Sequence, residues 1–145
     1  GMYAMESMRL EKCYLGWKSE MNLHHTPLET PVAWTIKWDK DFIGKSGLEK
    51  QRATGAPRQL VCMTVAAEDA DPWGYNPIFN GDEMVGMTSS GGYGHRVGKS
   101  IALGYVPQGL ASPGTQLAVE VLGKKLAAQV VTMPLYDPEN KRMKT

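Results

Sequence analysis

The stretch Pro-Ile-Phe-Asn-Gly-Asp-Glu-Met-Val-Gly-Met-Thr, residues 77–88, decides the fold. Two short runs of apolar and β-favouring side chains, 77–80 and 83–88, flank the turn signal Asn80-Gly81-Asp82. Asparagine, glycine and aspartate tolerate the backbone angles that tight turns need. The pattern therefore predicts two strands joined by a short connection.

Similar runs continue on both sides of this stretch. We predict further strands at 58–66, 99–106, 116–122 and 126–132, separated by the turn signals Ser89-Ser90-Gly91-Gly92, Pro113-Gly114 and Gly123-Lys124. Short strands at this spacing, with no long helix between them, indicate an antiparallel barrel or sandwich. We expect a domain boundary near residue 55, and we expect the charged residues 137–145 to form a tail.

The residues before this boundary carry a different pattern. Apolar residues spaced through 3–15 predict an amphipathic helix that ends at Gly16, and residues 46–53 predict a second, short helix. A loop is expected over 21–31, and the alternating run Val32–Trp38 predicts a strand. The predicted fold is thus mainly β, with an N-terminal α/β piece.

Bulk composition limits the function classes. The 145 residues are 42% hydrophobic and 21% charged, a balance typical of a folded chain rather than a disordered one. A net charge of +1 gives no electrostatic basis for binding nucleic acid or an anionic membrane. No apolar run approaches the roughly 20 residues that span a bilayer, and we expect no signal peptide. Cys13 and Cys62 lack metal-ligand spacing, so we expect buried free thiols in a reducing cytoplasm.

Four segments carry a family resemblance: Ser7-Met8-Arg9-Leu10-Glu11-Lys12, Tyr14-x-x-Trp17, Thr26-Pro27-Leu28-Glu29 and Lys40-Asp41-Phe42-Ile43-Gly44-Lys45. In order and spacing they resemble the C-terminal part of the folate-dependent aminomethyltransferases, the glycine cleavage T-protein family. The Arg-Leu-Glu-Lys run, Leu60-Val61-Cys62 and Asp71-Pro72 make the chain most similar to the dimethylglycine and sarcosine dehydrogenase branch.

The resemblance implies a fold and a set of partners. It implies a small closed antiparallel β-barrel of Greek-key type at about 56–136. Residues 1–55 would be the end of a preceding folate-binding domain plus its linking helix. The implied partners are upstream folate and flavin domains, or a separately encoded half. Without them, the apolar surface around Tyr14, Trp17 and Trp34 is expected to favour self-association.

The resemblance also implies a function. In such enzymes a flavin (FAD) domain oxidises an N-methylamine, and the folate half transfers the one-carbon unit to tetrahydrofolate. The family's catalytic aspartate would precede residue 1, so we expect no catalytic residue here and no activity from the isolated chain. Two alternatives stay open: a stand-alone subunit or interaction module of a split aminomethyltransferase, and a fragment of a T-protein-like aminomethyltransferase or demethylase.

Four residues are candidates for cofactor binding. The branch has an aromatic residue at the position of Tyr3, whose ring could stack on a pterin or p-aminobenzoyl ring. Arg9 is either a helix anchor or a direct ligand, and Trp17 is either a packing residue or a ligand contact. Arg96 ends a glycine-rich loop, 88–96, which resembles the family's Gly-x-Thr-Ser-Gly turn. Such a loop could bring backbone N–H groups close to a ligand carboxylate, with which Arg96 could pair.

Other polar residues are expected to be structural. We expect Glu20 to be a loop or cap carboxylate, and His24 and His25 to be solvated loop residues without a metal. The acidic segment 68–71 is expected to be a solvated loop. We predict no metal site, no pair of catalytic carboxylates and no dinucleotide-binding fingerprint.

Overall fold

The structure, a computed structural model, describes residues 1–144, which form two α-helices followed by six strands. The helices are α1 (Met2–Glu11) and α2 (Lys45–Thr54), and the strands are β1 (Arg58–Val65), β2 (Pro77–Asn80), β3 (Glu83–Gly94), β4 (Lys99–Pro107), β5 (Gln116–Val121) and β6 (Lys124–Val131). Short 3-10 turns lie at Pro27–Glu29, Ala33–Thr35, Gln108–Leu110 and Lys141–Met143. Every helix within 1–144 is too short or too polar to cross a bilayer.

The six strands close into an antiparallel barrel in the order β1-β4-β3-β2-β5-β6. The consecutive strands β2, β3 and β4 form a meander, and β1 returns to lie beside β4, which is a Greek-key arrangement. Closure comes from the pairing of β6 with β1, from Cys62 opposite Val131 to Val65 opposite Ala128. The predicted closed Greek-key barrel is confirmed, and closure leaves no free sheet edge.

Strand β4 is buried on both of its faces, because it packs against the barrel interior and against residues 1–57, which we name the N-terminal segment. Ala102 and Val106 belong to the interior cluster, with alternate residues of β1, β2, β5 and β6. Ile101, Leu103 and Tyr105 point outward into a second cluster, which Leu10 of α1 joins. The near-continuous apolar sequence of β4 reflects this double burial.

Two cysteines lie at the contact between the N-terminal segment and the barrel. Cys13 follows α1 and Cys62 lies on β1; both are buried free thiols in the outer cluster, as predicted. A hydrogen bond with the Cys62 thiol, together with the nearby Arg9 charge, lowers the pKa of Cys13 despite its burial. The two sulfurs therefore face each other across this contact.

Two predictions about local structure are wrong. Helix α1 ends at Glu11 rather than continuing to residue 15, because Cys13 has a left-handed backbone with φ of 50°. The predicted strand Val32–Trp38 is instead a 3-10 turn at Ala33–Thr35. A strand needs a neighbour to bind its backbone groups, and a closed barrel offers no edge to pair with.

The predicted glycine-rich loop 88–96 is also wrong, because β3 continues through Gly94. The glycines of this stretch do not form a loop. At Gly91 the missing side chain allows the backbone at Pro72 to pass close to β3. A Cβ atom at Gly91 would lie 2.5 Å from the Pro72 carbonyl oxygen. Glycine within a strand often marks such a site, where another backbone crosses the sheet.

Candidate functional site

Arg9 directs all five of its guanidinium N–H groups to protein acceptors. Nε and Nη2 donate to Glu6 Oε2 at 3.0 and 2.6 Å, and Nη2 also donates to Ser90 Oγ at 2.8 Å. Nη1 donates to the Tyr14 carbonyl at 2.9 Å and to Glu20 Oε2 at 3.0 Å. The geometry favours the anchor alternative: Arg9 joins α1 to the following segment and to β3.

Glu20 lies in a turn and binds a backbone N–H, as predicted for a loop or cap carboxylate, and it is completely buried. Its Oε1 accepts hydrogen bonds from the Ser89 and Ser90 hydroxyls, each at 2.6 Å, and its Oε2 accepts one from the Gly16 N–H at 2.8 Å. Burial alone would raise the pKa of the Glu20 carboxyl. These hydrogen bonds and the Arg9 charge outweigh it and hold that pKa below its ordinary value. The ionised carboxylate fastens the N-terminal segment to β3.

A cavity of about 620 Å³ lies beside this ionic network, and we name it the aromatic cavity. Tyr3 and Trp17 line it, together with Trp73 and Tyr75 from the connection between β1 and β2. Tyr3 is 83% exposed and Trp17 is 69% exposed, so both rings have free faces on which a planar ligand could stack. Because Arg9 also lines this cavity, the structure brings three of the four sequence-predicted residues together here.

Sequence reasoning missed Trp73 and Tyr75, which β3 holds in place. Thr88 Oγ1 donates to the Trp73 carbonyl, and it accepts from the Asn76 N–H at 2.9 Å. The Tyr75 N–H donates to the Thr88 carbonyl at 2.7 Å. The Trp73-Gly74-Tyr75 sequence, two aromatic residues around a glycine just before a strand, was the signal available.

A second cavity, of about 830 Å³, adjoins the first, and we name it the basic cavity. Four nitrogen-bearing side chains that can carry positive charge line it: Lys18, His24, His25 and Arg58. The cavities share several lining residues, Trp17 and Tyr75 among them. Trp17 and Tyr75 therefore stand between an aromatic compartment and a basic one.

His25 does not fit the prediction of a solvated loop residue, whereas His24 is exposed as predicted. The His25 ring stacks on Tyr105, with centroids 3.5 Å apart and planes 7° from parallel. Its Nδ1 atom is buried without a hydrogen-bond partner and lies 3.9 Å from the Glu29 carboxylate. Burial, with the charge of Arg58, lowers the pKa of His25 against the opposing effect of Glu29.

Tyr105 closes the floor of the basic cavity and links it to Glu20. Its hydroxyl donates to the Glu20 carbonyl at 2.7 Å. Burial, followed by the charges of Glu29 and Glu20, raises the pKa of Tyr105, so the hydroxyl stays protonated and remains a donor. The ring therefore fixes both the His25 ring and the Glu20 backbone.

Arg96 lies apart from these cavities, in the turn between β3 and β4. Its side chain is exposed and lines neither cavity. Its backbone N–H, like that of Val97, donates to Glu11 Oε1, so this turn is tied to α1. A ligand contact by the Arg96 side chain stays a prediction.

The remaining polar residues form no further site. Within residues 1–144, no group of three or more His, Cys, Asp or Glu residues could hold a metal ion. In the acidic segment, Glu68 and Asp69 are exposed, as predicted for a solvated loop. Asp71 is exposed as well, and its Oδ1 also accepts a hydrogen bond from Ser100 Oγ on β4.

Comparisons with known proteins match this fold. Residues 58–137 match the glycine cleavage T-protein C-terminal barrel domain, and the chain belongs to this family. Dimethylglycine dehydrogenase of Mus musculus is 42% identical over 144 residues, which cover 98% of this chain and 17% of the relative. The aminomethyltransferase of Rippkaea orientalis is 37% identical over 143 residues, which cover 97% of this chain and 38% of the relative.

A solved structure shows the same architecture. The glycine cleavage system aminomethyltransferase T from Bartonella henselae superposes with a TM-score of 0.88 at 25% identity, covering 95% of this chain and 39% of that one. The predicted family and its dimethylglycine dehydrogenase branch are thus confirmed. The chain spans only a minor, C-terminal part of these longer relatives.

Proposed function

We propose that the chain forms one wall of a tetrahydrofolate site in a larger one-carbon enzyme resembling dimethylglycine or sarcosine dehydrogenase. In this proposal residues 1–55 complete the preceding folate-binding domain. The observation that supports it most is the aromatic cavity, where Tyr3 and Trp17 present open ring faces beside Arg9. Arg96 is a further proposed contact, reached from the turn between β3 and β4.

The chain's own residues would bind and orient a ligand rather than react with it. Tetrahydrofolate, when bound, supplies the nitrogen atoms that accept a one-carbon unit. Tyr3 and Trp17 would stack on its rings, while Arg9 keeps Glu6 and Glu20 in place. The lowered pKa of Glu20 keeps that carboxylate ionised near neutral pH, which makes it unsuited to proton transfer. We assign catalysis and any FAD to upstream parts of the enzyme, and we expect the isolated chain to be inactive.

Upstream domains, or a separately encoded half, are the proposed partners. Trp34 and Ile43 are exposed apolar side chains of the N-terminal segment, and such surfaces commonly meet a partner. The free thiols suit a reducing compartment, and we propose the cytoplasm. The mouse dimethylglycine dehydrogenase is mitochondrial by name. A mitochondrial matrix would suit free thiols equally.

A chimera tests the proposed function. This chain would replace the matching segment, 17% of the length, of mouse dimethylglycine dehydrogenase. We expect the chimera to form 5,10-methylenetetrahydrofolate from dimethylglycine, tetrahydrofolate and an electron acceptor. Trp17→Ala should weaken tetrahydrofolate binding about tenfold, since one stacking face is lost. Leu122→Ala is the control, because that side chain is exposed between β5 and β6, outside both cavities and outside the N-terminal segment. A folded chimera that oxidises dimethylglycine but releases only free formaldehyde would contradict the proposal.

A stand-alone interaction module is the second candidate function. It is favoured by the number of large exposed apolar side chains in the N-terminal segment: Met2, Tyr3, Met8, Trp17, Leu23, Trp34 and Ile43. Sedimentation velocity of the isolated chain distinguishes the cases. Concentration-dependent dimers that Trp34→Ala or Ile43→Ala disrupts would support self-association. A strict monomer would exclude self-association and leave only a separately encoded half as the partner of such a module.

A further inference from the structure

Two sulfur atoms meet at the contact between the N-terminal segment and the barrel. Cys13 follows α1, Cys62 lies on β1, and both belong to the buried cluster on the outside of the barrel. Their thiols are hydrogen-bonded to each other. Neither residue lines the aromatic cavity or the basic cavity, so the pair is separate from the candidate site. A pair of thiols in contact across two elements is the arrangement from which an intrachain disulfide forms.

The backbone at Cys13 is unusual for a cysteine. The residue follows Lys12, the C-cap of α1, and has a left-handed φ of 50°. Glycine usually occupies this position after a helix, because a Cβ atom is unfavourable in that conformation. A cysteine here accepts backbone strain and places its sulfur against β1. Strain of this kind is found where a side chain has a role of its own, which points to the sulfur rather than to the turn.

The two thiols differ in access and in ionisation. Cys13 is 8% exposed at the edge of the cluster, whereas Cys62 is 0% exposed. The hydrogen bond with Cys62 lowers the pKa of Cys13; a hydrogen bond with the Leu135 backbone and the Arg9 charge act in the same direction, against burial. The hydrogen bond with Cys13, together with burial, raises the pKa of Cys62. The thiolate is the nucleophilic form, so Cys13 reacts first with a small reagent and Cys62 reacts second.

We propose that Cys13 and Cys62 form an oxidation site, at which hydrogen peroxide produces an intrachain disulfide that fixes the N-terminal segment to β1. The Cys13 sulfur attacks one oxygen atom of the peroxide, the O–O bond breaks, and the other oxygen leaves as water with the Cys13 proton. The Cys62 sulfur then attacks the Cys13 sulfenic acid, an S–S bond forms, and the hydroxyl group leaves with the Cys62 proton as a second water. The peroxide thus takes a pair of electrons from the two sulfurs, and a dithiol returns them.

The disulfide would join a rigid part of the chain to a less regular one. Cys62 lies inside β1, opposite Leu103 of β4 on one side and Val131 of β6 on the other. Cys13 belongs to residues 12–26, which form no helix or strand. A cross-link between the two parts limits how far they can separate. Oxidation would therefore hold the N-terminal segment closed on the barrel, and reduction would release it.

Hydrogen peroxide added to the reduced 145-residue chain tests the site. Peptide mapping without reductant should give a linked pair of peptides, one containing Cys13 and the other Cys62, which dithiothreitol separates. In Cys62→Ala, the oxidation of Cys13 should stop at the sulfenic acid, which dimedone traps. In Cys13→Ser, loss of the Cys62 thiol should be about tenfold slower than in wild type, because the buried Cys62 sulfur has lost the partner that reacts first.

Hydrogen exchange measures the effect on the N-terminal segment. Exchange over residues 1–30 should slow about tenfold in the oxidised chain and recover after dithiothreitol, while exchange in β5 and β6 stays the same. Peroxide also oxidises methionine, and Met2, Met5 and Met8 of α1 are exposed. Peroxide-treated Cys13→Ser is therefore the matched control, because it has the same methionines and cannot form the disulfide.

Several results would overturn the proposal. The oxidation site is wrong if peroxide-treated wild type keeps both thiols free, or if it forms disulfides only between chains. The order of reaction is wrong if Cys62 is oxidised as fast in folded Cys13→Ser as in wild type. The fixing of the segment is wrong if exchange over residues 1–30 changes equally in oxidised wild type and in treated Cys13→Ser. Unchanged circular dichroism shows that the variants are folded, and the linked peptides of wild type require no variant.

Discussion

The barrel and the N-terminal segment, residues 1–57, are stabilised in different ways. The barrel has a continuous strand ladder around an interior of aliphatic side chains. The N-terminal segment has little regular structure beyond two helices, and it buries three carboxylates: Glu11 at 3% exposed, Glu20 at 0% and Glu29 at 5%. One chain thus combines a region that depends on apolar packing with a region that depends on buried polar contacts.

Each of these carboxylates accepts hydrogen bonds from backbone N–H groups. Glu11 binds the turn between β3 and β4, Glu20 binds Gly16, and Glu29 binds the Thr26 N–H at 2.8 Å. A buried carboxylate is tolerated when hydrogen bonds replace its hydration. We therefore expect the free energy of opening the N-terminal segment to be lower than that of unfolding the barrel, and to fall in acid. The barrel should unfold as one unit.

The largest expected effect is in the barrel. Ile78→Ala removes a fully buried side chain from the interior and should lower the free energy of unfolding by about 4 kcal/mol. Urea denaturation followed by circular dichroism measures it. The control, Ile43→Ala, changes an exposed residue and should stay within about 0.5 kcal/mol of wild type. Equal losses in both variants would show that the segment is as integral to the core as the barrel is.

Removing the Glu20 carboxylate should act locally. Glu20→Ala removes the acceptor of the Ser90 hydroxyl and leaves the Ser89 hydroxyl only the longer bond to the Leu103 carbonyl. It also deprives Arg9 of a partner. It should cost about 3 kcal/mol in the N-terminal segment. Hydrogen exchange should rise over residues 1–30 while β1, β5 and β6 keep their protection. Glu49→Ala, at an exposed position of α2, is the control. Equal loss of protection in the barrel would show that Glu20 stabilises the whole chain and not the N-terminal segment alone.

Lowering the pH should also destabilise the N-terminal segment, but less than Glu20→Ala does. Because the folded-state pKa of Glu20 lies below its ordinary value of 4.5, its stabilising contribution is complete above that pH and is lost as pH falls through the folded pKa. We expect hydrogen exchange of the N-terminal segment to accelerate below about pH 4.5 before that of the barrel does. Glu20→Gln should reduce this separation. An unchanged pH profile in Glu20→Gln would assign the effect to another carboxylate.

The smallest expected effect concerns Arg96. In the chimera with mouse dimethylglycine dehydrogenase, Arg96→Ala should weaken tetrahydrofolate binding about tenfold, or about 1.4 kcal/mol, through loss of one charge-assisted contact. Stability should hardly change, because the exposed side chain is not the group that binds Glu11; the backbone N–H is. A marked fall in melting temperature with unchanged folate affinity would instead make Arg96 a structural residue.

The barrel could be predicted from sequence because residues close together in the chain specify its strands and turns. Alternating β-type runs and turn residues set the strands, and closure follows once their apolar faces must be covered. The strand predicted at Val32–Trp38 fails for the opposite reason: its alternation was local, but no sheet edge lay within reach. Strand β3 was predicted to stop too early, since the tolerance of Gly91 depends on Pro72 crossing above it.

The candidate site was predictable only in part. Tyr3, Arg9 and Trp17 were found through short motifs, and folding brings them to one cavity. The burial of Glu20 depends on Ser89 and Ser90, which lie 69 and 70 residues away in sequence. A carboxylate in a polar stretch resembles a solvated one until such distant donors are placed around it.

The two buried thiols allow the opening of the N-terminal segment to be timed. Cys13 and Cys62 are both buried at the contact between the N-terminal segment and β1, so an alkylating reagent must wait for that contact to part. When alkylation is faster than reclosing, the rate of modification would equal the rate at which the segment separates from the barrel. One such event uncovers both sulfurs, so they should be labelled as a pair. Mass spectrometry would then show unmodified and doubly modified chains, with few of the singly modified form.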